Sequence, residues 1–172
     1  MFRHVVFLSI VLFIGFNTSA HNYYSLPFSQ YNISDGLPDS TITALTQDSH
    51  GMLWVGTPEG LVRYDGRRFL NLRNQLGLNP SSPYVYGLAL GQKQRLWVVF
   101  ADGIYVLSPN AQTFEKFYSF TDDYADERHV TQLRNGELAV YFDDQLLLID
   151  TSLSQPIIQR FRFSHPIDAI DI

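Results

Sequence analysis

Thr41, Thr43, Tyr84, Tyr86 and Arg128 are the residues of this chain best suited to hold a small molecule. They bring hydroxyls, aromatic faces and a guanidinium to corresponding points of a recurring block. Such a set binds by hydrogen bonding and stacking, and it contains no paired nucleophile and base. Trp54 and Trp97 could stack on a sugar ring, but both occupy one place in the block, inside an apolar run, which is where a packing residue belongs. Asp122, Asp123, Asp126 and Glu127 form the densest acidic cluster and could hold calcium. They lack the alternation and central glycine of a calcium loop, so they read as a solvated loop. The histidines, His4, His21, His50, His129 and His165, show no ligand spacing. The chain has no cysteine, which removes disulfide, thiolate and Cys-ligated zinc chemistry. No serine sits in a nucleophile-elbow context, and no glycine cluster has phosphate-loop order. No catalytic residue, metal or cofactor is assigned.

What must position the candidate residues is the block itself. Leu53-Trp54-Val55 aligns with Leu96-Trp97-Val98 and with Leu138-Ala139-Val140, at offsets of about 43 residues. Gly60 falls over Gly103 and Gly51 over Gly136. Phe28, Phe69 and Phe114 each begin an apolar pair completed by Tyr31, Leu72 and Phe117. A unit of this period cannot bury its apolar face alone and must stack on its neighbours.

Each copy divides into four short strands. In the first they run Thr41 to Gln47, Met52 to Gly56, Leu61 to Tyr64 and Phe69 to Leu72. The punctuation is Asp48-Ser49-His50-Gly51, Pro58-Glu59-Gly60 and Asp65-Gly66, combinations that tolerate the positive φ of tight hairpins. The second copy gives Val85 to Leu90, Arg95 to Phe100, Ile104 to Leu107 and Thr113 to Tyr118. The third gives His129 to Leu133, Leu138 to Phe142, Leu146 to Asp150 and Ile157 to Phe163, with Asp143-Asp144 placed over Glu59-Gly60 and Asp102-Gly103. After residue 20 no stretch carries a sustained helical period. The expected fold is all-β, built from β-propeller blades of four antiparallel strands. Trp54, Trp97, Gly60 and Gly103 are structural in it. Thr43, Tyr86 and Arg128 then open the innermost strands, near the axial opening where propellers often bind ligands, although inter-blade packing and a solvated rim are the favoured reading of the same positions.

Aromatic residues make up 15% and charged residues only 17%, the balance of a well-buried β protein. A net charge of -5, with Arg67-Arg68 the only adjacent basic pair, argues against a nucleic-acid partner. Arg3 and His4 precede an apolar run from Val5 to Phe16, followed by Asn17-Thr18-Ser19-Ala20. This is the profile of a signal peptide over residues 1–20, which predicts export to the periplasm.

The string Asp35-Gly36-Leu37-Pro38, Gln47-Asp48, Gly51, Leu53-Trp54-Val55-Gly56-Thr57, Gly60-Leu61 and Arg63-Tyr64-Asp65-Gly66 resembles the two-component regulator propeller repeat. The second copy is similar through Leu96-Trp97-Val98 and Gly103-Ile104-Tyr105, but lacks the Gly-Thr after the tryptophan and the Asp-Gly after the third strand. The third keeps little of the motif. The resemblance implies a large periplasmic sensor region followed by a β-sandwich domain, a membrane helix and a cytoplasmic histidine kinase or diguanylate cyclase. It also implies a carbohydrate or other small-molecule ligand and a homodimeric receptor.

Of the 172 residues, 21–172 are expected to form about three and a half blades, at about 39–72, 83–118 and 127–163. Residues 28–31 would be an orphan outer strand and 167–172 the start of a fourth blade. Propellers close with four to eight blades, so this ring stays incomplete and its remaining blades are its expected partners. The function expected is that of an N-terminal fragment of a membrane receptor's sensor propeller, itself not an enzyme. A secreted propeller enzyme, lyase or glycoside-active, and a nonfunctional remnant are the alternatives.

Overall fold

The computed structural model describes residues 28–73, 75–109, 112–121, 128–153 and 155–167. The signal peptide, the acidic cluster at 122–127 and residues 168–172 lie outside them. The chain divides into two units, Met1–Gln30 and Tyr31–Ile172. Residues 28–30 of the first form no strand.

The second unit is all-β. Its strands are β1 (Ala44–Gln47), β2 (Leu53–Thr57), β3 (Gly60–Tyr64), β4 (Phe69–Asn71), β5 (Gly87–Leu90), β6 (Leu96–Phe100), β7 (Gly103–Leu107), β8 (Glu115–Ser119), β9 (His129–Gln132), β10 (Leu138–Phe142), β11 (Gln145–Asp150) and β12 (Ile157–Arg162). They form three four-stranded sheets, β1-β2-β3-β4, β5-β6-β7-β8 and β9-β10-β11-β12, antiparallel throughout. Two single 3-10 turns, Ile33–Asp35 and Gln92–Gln94, interrupt the all-strand expectation only in the connections.

Side-chain capping and positive φ set the hairpins. Between β1 and β2, the Asp48 carboxylate accepts from the backbone N–H of His50 at 2.9 Å and of Met52 at 3.1 Å, and Gly51 takes φ 81°. After β3, Asp65 accepts from the N–H groups of Arg67 and Arg68, each at 2.9 Å. Gly103 opens β7 at φ 159°, and a Cβ there would lie 2.1 Å from the Tyr118 carbonyl oxygen, so β8 leaves no room for a side chain. The third sheet corrects the expected alignment. β10 ends at Phe142 and β11 begins at Gln145, so Asp143-Asp144 corresponds to Pro58-Glu59 and Ala101-Asp102, one residue earlier than the sequence placed it. The reason is local: Asp143 itself takes positive φ, 48°, and no glycine is needed at the head of β11.

The sheets stack face to face. Trp54, Leu61 and Leu72 of the first meet Val85, Leu96, Val98, Phe100 and Tyr105 of the second. Ala89, Trp97, Val99 and Ile104 of the second meet Leu138, Val140, Phe142, Leu147 and Ile149 of the third. Each fully buried large side chain stabilises by about 1.5–3 kcal/mol, so these two interfaces dominate the fold. The array is open. The far face of the first sheet, Val55, Val62 and Phe69, is covered by Leu37 alone among buried residues. Leu45, in register with Val55, stays exposed there, and Ile157 and Phe161 stay exposed on β12.

Candidate functional site

The first strand of every sheet lies innermost, and the residues entering it are held by main-chain bonds. Thr43 N–H donates to the Gly56 carbonyl at 2.9 Å and Tyr86 N–H to that of Val99 at 2.9 Å. Val85 N–H instead crosses between sheets to the Thr57 carbonyl at 3.1 Å. This close approach needs glycine. A Cβ on Gly56 would stand 2.6 Å from Val85 Cγ1, and one on Gly87 would stand 2.4 Å from Val130 Cγ1.

The five candidate residues fall into two groups. Thr41 and Tyr84 are exposed. Thr43 turns its hydroxyl into the protein, where the Oγ1 is buried without a hydrogen-bond partner among the described residues. Arg128 is 2% exposed, and its guanidinium lies 4.6 Å from the ring of Phe120, 5.5 Å from Tyr86 and 5.7 Å from Phe142. The structure thus brings Tyr86 and Arg128 together across the interface of sheets two and three, as packing partners. A desolvated guanidinium over aromatic faces gains from the ring quadrupoles. What is left facing solvent is a hydroxyl and aromatic rim of Thr41 and Tyr84, with Tyr86 behind Tyr84 at a ring separation of 4.7 Å. His129, stacked on Tyr141 at 4.9 Å, is exposed one residue beyond Arg128.

Sequence reasoning missed a second arrangement at the opposite end of the inner strands. Trp54 Nε1 donates to Asp48 Oδ2 at 2.9 Å, and Arg63 lies 5.9 Å over the Trp54 ring. The signal was available in the spacing of Asp48 and Trp54, but their contact depends on the hairpin bond from Asp48 N–H to the Met52 carbonyl, 3.0 Å. The same hairpin bond recurs from Gly91 to Arg95 and from Leu133 to Glu137, so Gly91 and Leu133 stand where Asp48 stands. Trp97 accordingly has no carboxylate beneath it, and its Nε1 is buried without an acceptor among the described residues. The third copy has neither member, carrying Leu133 and a fully buried Ala139.

Titratable groups elsewhere are shifted for structural reasons. The hydrogen bond shared with the Tyr31 hydroxyl, 2.8 Å away, leads in raising the Tyr64 hydroxyl, and burial raises Tyr105. Backbone N–H groups of Arg68 and Arg67 lower Asp65, and the Ser152 hydroxyl and N–H lower Asp150. None of these belongs to the rim.

Residues 36–59, which run from Gly36 through the β1–β2 hairpin to Glu59, match the two component regulator propeller family. The chain is 35% identical over 74 residues to histidine kinase P4 of Formosa agariphila; the match takes in 42% of this chain and 5% of that protein. Among solved structures, the fold is similar to the extracellular domain of BT3049 from B. thetaiotaomicron, described as a hybrid two component system. The TM-score is 0.62 at 19% identity, covering 78% of this chain and 20% of that one. The extracellular domain of BT4673 from the same organism gives 0.59 at 18%, covering 78% and 18%. Virginiamycin B lyase from Staphylococcus aureus gives 0.59 at 17%, covering 76% and 44%. At these identities the solved structures speak to the fold, three consecutive propeller-type blades. No described helix is long and apolar enough to cross a membrane.

Proposed function

We propose that this chain contributes blades to the sensor propeller of a two-component receptor, facing the periplasm and passing a ligand signal to a kinase or cyclase in the cytoplasm. The observation that carries this reading is the family match over 36–59, seated on a hairpin whose sheet is followed by two more of the same plan. The similarity to histidine kinase P4 and to extracellular domains of two-component systems supports it. Further blades would cover the outer faces of the first and third sheets, and a dimer of receptors would transmit the signal. The ligand, a carbohydrate or another small polar molecule, would meet Thr41 and Tyr84 at the rim of the inner strands. It acts by differing in free energy between two receptor states, which shifts their populations.

The test is made in the organism itself. Gly56→Val, placed on the chromosome, forces β2 away from Val85 and breaks the sheet contact. Loss of ligand-induced transcription or cyclic dinucleotide production is expected. A response of unchanged size across a carbohydrate panel that stimulates the parent strain would overturn the reading.

A further inference from the structure

The two sheet interfaces differ at the level of the β1–β2 and β5–β6 hairpins. Between sheets two and three, Gln92 N–H donates to Thr151 Oγ1 at 2.8 Å, Thr151 Oγ1 donates to the Gly136 carbonyl at 3.1 Å, and Gln92 Nε2 donates to the Asn135 carbonyl at 3.2 Å. Arg95 closes the margin by donating to the Leu153 carbonyl at 3.0 Å. In the repeat register, Ser49 stands where Gln92 does and Pro109 where Thr151 does. Ser49 is too short to span and the proline ring offers no hydroxyl. Among the described residues that interface is therefore unclasped, and a cavity of about 300 Å³ opens there between sheets one and two.

Its walls are of two kinds. Met52, Leu90, Leu107 and Pro109 are apolar, whereas His50, Arg63 and Gln94 carry polar groups. Arg63 rests on Trp54, and among the described residues no carboxylate pairs with it. Asp48, which also lines the cavity, is already engaged by two backbone N–H groups and the Trp54 indole. A guanidinium held over a ring keeps its N–H edge for a planar acceptor, and a carboxylate is the acceptor that fits it two bonds at a time. The volume lies at the lower end of the range that small-molecule sites occupy.

From this geometry we infer a binding site for a small organic carboxylate, its charge on Arg63 and its compact apolar body against Met52, Leu90 and Leu107. The site is separate from the rim of Thr41 and Tyr84 and stands whether or not the receptor reading holds.

The chain has two tryptophans, so its indole N–H signals are two reporters, one in the open interface and one in the clasped one. The 172-residue protein, labelled with 15N, is titrated with phenylacetate and, separately, with its uncharged isostere phenylacetamide. Phenylacetate is expected to move the Trp54 signal saturably while that of Trp97 stays, and phenylacetamide to move neither. Arg63→Gln should weaken binding about tenfold or more, the effect of losing a charge-assisted pair. The double variant Ser49→Gln with Pro109→Thr, which rebuilds the clasp, should abolish it. Equal movement of both indoles, equal response to the amide, or unchanged binding in either variant would overturn the inference.

Discussion

Trp54 and Asp48, six residues apart, are joined by an indole-to-carboxylate hydrogen bond of 2.9 Å that ties β2 to the hairpin preceding it. The same carboxylate caps two backbone N–H groups of that hairpin. Replacing Asp48 by alanine removes all three bonds and leaves the 4%-exposed Trp54 without its acceptor. A loss of about 2–4 kcal/mol is expected in urea denaturation, with Asp48→Asn losing less because one amide oxygen still accepts.

Gly91 invites the opposite change, since an aspartate there would copy the first repeat. It will not help. A Cβ at Gly91 lies 2.5 Å from Trp97 Nε1 and 3.0 Å from the Thr151 side chain, because the Gln92–Thr151 clasp has drawn the third sheet in. Gly91→Ala and Gly91→Asp should both destabilise, the alanine by about 1–3 kcal/mol of overpacking, measured by the same denaturation.

Gln94 occupies the left-handed region at φ 57°, at the point of the hairpin where Gly51 and Gly136 stand at 81° and 86°. Left-handed backbone costs a residue with a Cβ about 1–2 kcal/mol, and glycine loses about 0.5–1 kcal/mol in unfolded-state entropy. Gln94→Gly should therefore stabilise by about 0.5 kcal/mol, visible as a raised thermal midpoint.

Arg128 packs against Tyr86, Phe120 and Phe142 in the second interface. Arg128→Ala should cost about 3 kcal/mol through the cavity and the lost ring contacts. Arg128→Lys should recover little of it, because an ammonium lacks the planar face that stacks on rings. Chemical denaturation of the two variants side by side decides this.

Asp65 and Asp150 both have carboxyls held below the ordinary 3.8, by backbone N–H groups at Asp65 and by Ser152 at Asp150. Their contribution is complete above that value and drains away as pH falls through the lowered folded value. Thermal midpoints measured from pH 6 down to pH 3 should fall on the acid side. The Asp65→Asn, Asp150→Asn double variant should show a shallower fall.

The strands were legible because alternation and turn residues are local. Leu138–Phe142 ends where the sequence ends it, and most other strands shift by one to three residues at a boundary. The register of Asp143-Asp144 was not legible, since the sequence does not announce that an aspartate will take the positive φ that glycine supplies elsewhere. Nor was the partner set of Arg128: repeat alignment places it with Thr43 and Tyr86, but its packing on Phe120, just past β8, and on Phe142, at the end of β10, depends on residues elsewhere in the chain. The cavity was least legible of all. It exists because Ser49 and Pro109, 60 positions apart, fail to do what Gln92 and Thr151 do at the next interface.

The bond from Val85 N–H to the Thr57 carbonyl joins two blades through main chain alone. Neither atom belongs to a side chain, so the joint asks only that its neighbours leave room, as Gly56 does. Copies of the unit can then differ in sequence, as Trp54, Trp97 and Ala139 do, without touching the two atoms that make the joint. Divergence of the repeats becomes a source of new surfaces at no expense to that bond.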